Sequence, residues 1–177
     1  MRDYGANRGW TLLEMLLTIG IAGLLVTGAG TAWSSLTQNQ RIQGLAQELS
    51  QHIQWLHSEA ASRQESIRLS WYQSSQGACY VSHTGAANQC SCLGQQASCQ
   101  APAKLLRFGF VPDRESIKLS STSSSMLWDP VAGTTTPTGT IRLESTSGQS
   151  VRVVVNILGR ARTCTDAATW SMLPRCT

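Results

Sequence analysis

Charged side chains are scarce in this chain, at 14% of its 177 residues, whereas Ser, Thr, Gln and Gly are plentiful. That balance argues against a cytosolic helical enzyme and fits a neutral, loop-rich β surface. Cysteine is missing from the N-terminal half of the sequence up to Cys79. All six, Cys79, Cys90, Cys92, Cys99, Cys164 and Cys176, lie beyond an apolar N-terminal stretch. An even number confined to one side of such a stretch excludes a reducing compartment and places that part in the periplasm or outside the cell. There is no internal repeat, and no Gly-rich phosphate loop followed by Lys. His52, His57 and His83 have no Ser, Asp or Glu near them in a recognisable catalytic arrangement, so they read as surface or packing residues. No enzyme, cofactor, metal or small-molecule substrate is expected. Disorder is excluded because apolar runs recur throughout, and the length suits one globular domain plus an anchor.

The N-terminus carries the sharpest signal. Residues Met1 to Gly9 are polar, with Arg2 and Arg8 against Asp3, and Trp10 to Trp33 are apolar or small but for Glu14 and a few threonines. At about 1.5 Å rise per residue, such a run spans a bilayer core of about 30 Å. It is too long for the apolar region of a secretory signal, roughly 7–15 residues. The basic leader stays cytoplasmic, so everything after Ser34 faces the periplasm. Beyond residue 33 the chain has 12 Lys/Arg against 8 Asp/Glu, a mild positive bias. A carboxylate in the centre of such a segment costs about 2.5–3.5 kcal/mol on insertion, less near the interface. Glu14 therefore needs a function.

Downstream, Ile42, Leu45, Leu49, Ile53, Leu56 and Ala60 recur at helical spacing, with Arg41, Glu48, His52, Glu59 and Arg63 placed opposite. They predict that residues 10 to about 66 form one long helix, with Gly28, Gly30 and Gly44 as its weak points. The period then falls to two at Ile67-Leu69-Trp71, Ile117-Leu119 and Ile141-Leu143. Thr146 to Gln149 separates strand 139–145 from strand 151–158 as a hairpin turn, and Val153-Val154-Val155 suggests burial on both faces. Residues 76–103 and 120–138 read as loops.

Residues 139–177 hold five arginines, Arg142, Arg152, Arg160, Arg162 and Arg175, against only Glu144 and Asp166. In Gly159-Arg160-Ala161-Arg162, the two arginines alternate and project to the same side of an extended turn. Each guanidinium offers a planar fork of donors suited to phosphate. Such a pair is also an ordinary solvated surface charge or a partner contact, and Arg142, Arg152 and Arg175 are further candidates for the same patch. A disulfide between Cys164 and Cys176 would hold this tail. Cys90 and Cys92 are too close in sequence to join each other, and the pairing of Cys79, Cys90, Cys92 and Cys99 stays open. The Cys-x-Cys spacing suits zinc poorly, and only at a zinc site would His83 be a ligand. Trp55, Trp71, Trp128 and Trp170 read as packing residues, with Trp170 the one placed to stack on a base.

The segment Arg8-Gly9-Trp10-Thr11-Leu12-Leu13-Glu14 resembles the prepilin motif of type IV pilins and secretion pseudopilins, with Trp10 where that family usually has phenylalanine. The resemblance implies cleavage between Gly9 and Trp10 by a prepilin peptidase, methylation of the new terminus, and Glu14 as the fifth mature residue. There its carboxylate can neutralise the terminal amine of a neighbouring subunit in low dielectric. Together with the C-terminal Gly-Arg-x-Arg and the cysteine after it, the chain resembles the FimT/GspH family of minor pilins and pseudopilins. What this implies is an α+β, type IV pilin-like fold: leader 1–9, transmembrane and assembly helix 10–33, amphipathic helix 34–66, and an antiparallel β domain 67–177. It further implies an inner-membrane precursor that joins other pilins in a pilus or pseudopilus. In the FimT branch, Gly159, Arg160 and Arg162 would bind double-stranded DNA for natural transformation. In a GspH-like pseudopilin or an assembly-priming minor pilin, no DNA is bound.

Overall fold

A computed structural model describes residues 11–113, 117–146, 148–166 and 173–176, with the side chains of 26–32, 34 and 35 outside that set. Its first element, α1, is an unbroken helix, Leu12–Arg63. Gly28, Gly30 and Gly44 do not interrupt it. Thr11 caps its start: the Glu14 amide donates to Thr11 Oγ1 at 3.3 Å, and the Met15 amide to the Thr11 carbonyl at 3.2 Å. At the far end Arg63 pairs with Glu59 at 2.5 Å, and Gln64 turns the chain at φ 54°.

The chain divides into two units, Met1–Gln38 and Asn39–Thr177. In the first, Leu12, Leu13, Leu16, Leu17, Ile19, Leu24 and Leu25 are all exposed. The expected membrane segment runs over 10–33; Trp10 and the side chains of 26–32 lie outside the described residues. Among the described residues, no helix is long and apolar enough to cross a membrane.

In the second unit, α1 buries Ile42, Ala46, Leu49, Ile53, Leu56 and Ala60. The spacing alternates between four and three, so one continuous stripe faces the core. Ala46 takes the position assigned to Leu45, which is only half-buried. His52, expected on the polar side, is also buried.

Two antiparallel sheets complete the core. Among the described residues eleven strands follow α1: β1 (Ile67–Ser74), β2 (Gly77–Thr84), β3 (Cys90–Leu93), β4 (Gln96–Cys99), β5 (Leu105–Pro112), β6 (Ile117–Ser121), β7 (Ser125–Asp129), β8 (Thr134–Thr136), β9 (Gly139–Ser145), β10 (Ser150–Val155) and β11 (Ala161–Thr165). One sheet has the order β5-β2-β1-β7-β8 and the other β11-β10-β9-β6, with β3-β4 a separate hairpin. Side chains at alternate positions, Ile67, Leu69, Ile117, Leu119, Ile141, Leu143, Val151, Val153 and Val155, join the stripe of α1 in one core.

Three expectations are corrected here. Residues 76–103 are not a loop but contain β2, β3 and β4, and residues 120–138 contain β7 and β8. The strand placed at 151–158 stops at Val155, and Val154 is half-exposed, so the valine run has only one buried face. The strand buried on both faces is β2. Its Ala78 and Tyr80 face α1, while Cys79 and Val81 face a second cluster with Cys90, Cys92, Phe108 and Phe110. Disulfides Cys79–Cys92 and Cys90–Cys99 secure the β3-β4 hairpin over that cluster.

Candidate nucleic-acid interface

The arginine-bearing turn joins β10 to β11. It is closed by the Gly159 amide donating to the Asn156 carbonyl at 2.9 Å and the Asn156 amide to the Arg160 carbonyl at 3.1 Å. The Asn156 side chain also accepts from the Arg160 amide at 2.9 Å. Gly159 has φ +70°, and a Cβ there would lie 2.7 Å from Trp128 Nε1 and 2.8 Å from Thr135 Oγ1. Only glycine satisfies both the left-handed backbone and the contact with β7 and β8. The Thr135 amide donates to the Ile157 carbonyl at 2.7 Å, which ties the turn to the edge of the other sheet. The turn is thus held from three sides before any ligand arrives.

Arg160 and Arg162 are both exposed, and neither makes an ion pair among the described residues. They line one groove of about 550 Å³ together with Asn156, Gln54 and His57. The other arginines extend from there across the outer face of the second sheet. Arg142 on β9 and Arg152 on β10 are register partners, and Val154, next on that face, pairs with Arg162 on β11. Arg152, Arg162 and Arg175 share a second groove of about 410 Å³.

Not all five arginines are equally available. Arg152 pairs with Asp166 at 2.5 Å and Arg142 with Glu144 at 3.6 Å, so the two acidic residues of this region sit on those two positions. Each arginine of that cross-strand pair is screened from the other by its own carboxylate. Arg160, Arg162 and the exposed Arg175 remain without an ion pair among the described residues.

Cys164 and Cys176 form the third disulfide, with a Cα–Cα distance of 5.0 Å. The segment from Pro174 to Cys176 runs along β11: the Thr165 amide donates to the Pro174 carbonyl at 3.0 Å, and the Cys176 amide to the Thr165 carbonyl at 3.1 Å. Thr165 and Arg175 form a parallel bridge. All six cysteines are in disulfides, so none offers a thiolate to zinc. His83 is buried among Ser70 and Thr84 instead.

Gly9, Trp10 and Trp170 lie outside the described residues. Trp128 is buried and Trp55 carries the Arg107 guanidinium 4.6 Å from its ring centroid, so both are packing residues. Sequence reasoning missed two things. One is the Thr11-x-x-Glu14 spacing, a readable capping signal that also places Glu14 at the positive end of the helix dipole. The other is the approach of Gln54 and His57 to the arginine turn, which no local pattern announces.

Residues 45–159 match the family described as type II transport protein GspH. The match ends one residue before Arg160. No curated protein matches the chain. Among solved structures it is similar to the type IV minor pilin FimU of Pseudomonas aeruginosa, at 19% identity and a TM-score of 0.51, covering 72% of this chain and 90% of that one. That likeness carries the fold: a long N-terminal helix on antiparallel sheet, as in type IV pilins. With well over half its length inside the family's span, the chain belongs to the GspH/FimT family of minor pilins and pseudopilins.

Proposed function

We propose that this chain is a minor pilin that enters a type IV pilus and binds extracellular double-stranded DNA without sequence preference, for uptake in natural transformation. The observation that supports it is the pair Arg160 and Arg162, exposed on a braced turn with no ion-pair partner among the described residues. A guanidinium already bound to a carboxylate must exchange one anion for another, whereas these two gain phosphate outright. Two neighbouring forks facing one groove suit a sugar-phosphate backbone and read no bases.

Family membership implies inner-membrane anchoring and assembly with other pilins into a pilus or pseudopilus, and both family and fold are those of structural subunits. In the proposed sequence of events, prepilin peptidase cuts between Gly9 and Trp10, residues 10–33 hold the precursor in the membrane, and Glu14 neutralises the terminal amine of an adjacent subunit. A second reading, a secretion pseudopilin or assembly-priming subunit that touches no nucleic acid, is favoured by the family's description and by a match that stops before Arg160.

Titration of labelled duplex DNA at several salt concentrations separates the two. Phosphate binding predicts that log affinity falls linearly with log salt, and that Arg160→Ala and Arg162→Ala each lower the slope by roughly 0.9. No binding at low salt leaves the pseudopilin reading in its place, and unchanged binding in the double variant removes the arginine pair from the DNA site.

A further inference from the structure

The groove beside the arginine turn has a second wall, and that wall is α1. Gln54 and His57 are both exposed and three residues apart, so they stand on one face of the helix. Across the groove from them are Arg160, Arg162 and Asn156. From these placements we infer that Gln54 and His57 are phosphate-binding residues, and that a DNA strand lies in the groove between helix and turn instead of resting on the turn alone. The inference rests on the DNA-binding reading above and assigns its footprint.

Two observations carry it. The lining contains donors only of the kind phosphate accepts, two guanidinium groups, an imidazole and two amides, and it contains no carboxylate. Both walls are fixed. Ile53 and Leu56, each directly preceding one of the exposed pair, are fully buried in the core, and the turn is held by Asn156 and by the Thr135–Ile157 hydrogen bond.

Phosphate needs a donor at these positions and not the imidazole ring itself, which gives a readout that a structural role would not move. With the purified full chain in detergent and a labelled duplex, His57→Ala is expected to lower affinity about 3- to 10-fold, the range of one net hydrogen bond, and His57→Gln, which keeps an N–H donor, to restore most of that loss. Gln54→Ala lowers affinity within the same range.

The inference fails if the unaltered chain binds DNA and loses binding with Arg160→Ala and Arg162→Ala, yet His57→Ala and Gln54→Ala bind as the unaltered chain does. The arginine reading then stands without its second wall. Absence of any binding by the unaltered chain overturns both.

Discussion

His52 shows how one side chain couples the core to pH. Its Nε2 lies 2.5 Å from Ser82 Oγ, and its ring meets the Tyr80 and Trp55 rings edge-on. Burial, and secondarily the nearby Arg107 guanidinium, lower its pKa to about 4. Burial lowers that of His83 as well. A depressed pKa in the folded state means the unfolded chain takes up the proton first as pH falls. The stability contributed by neutral His52 is therefore complete above about pH 6.5 and is lost as pH drops from there through about 4. The loss is on the order of 3 kcal/mol. Urea midpoints across this range should fall steeply for the unaltered chain and less steeply for His52→Gln; equal slopes would dismiss the assignment. This residue was not readable in advance. The helical period put it opposite Leu49 and Ile53, but its partner Ser82 lies thirty residues away on β2, and no local pattern links them.

Elements were legible where one face is buried and the other is wet. The stripe of α1 and strands β1, β6 and β9 follow their periods, and strand β9 was bounded correctly at Gly139 and Ser145. β2 escaped because it is buried on both faces, one side against α1 and the other against a hairpin held by cystines. Its sequence, Gly77-Ala-Cys-Tyr-Val-Ser-His-Thr84, therefore does not alternate. β7 and β8 escaped because Ser and Thr dominate a region whose burial comes from neighbours, as at Thr135 beneath Gly159. The arginine turn was visible as a motif, but its bracing by Asn156 and β8 was not. β11 is an edge strand whose free side is covered at its end, Thr165, by the C-terminal segment, and the Cys164–Cys176 bond holds that cover in place. Removing it with Cys164→Ser and Cys176→Ser should cost about 3 kcal/mol, the loop-entropy value for a closure of this length. Denaturant titration measures it. An unchanged midpoint would mean that the β11 pairing alone retains the tail.

For the molecule as a whole, every buried core residue among the described residues falls within Asn39–Thr177. None of the described side chains of the N-terminal unit is part of that core, so their substitutions should act on assembly and not on folding. Glu14→Ala is expected to abolish incorporation into fibres while leaving the melting temperature of the chain in detergent within about 2 °C of the original, a shift of no more than about 1 kcal/mol. Normal incorporation would remove Glu14 from the assembly mechanism; a large fall in melting temperature would contradict the division into two units.

A fibre subunit also carries load, and the paired cystines of the β3-β4 region bear on that. The backbone from Cys79 to Cys99 is bypassed by a route that crosses to Cys92, steps back to Cys90 and crosses again to Cys99. Tension entering through α1 and leaving through the C-terminal strands would pass along that short circuit. About sixteen residues, 80–89 and 93–98, are thereby withheld from extension, roughly 54 Å at about 3.4 Å each. A subunit pulled open in the oxidised state yields that much less slack than a reduced one, so oxidation sets how far it can stretch under force.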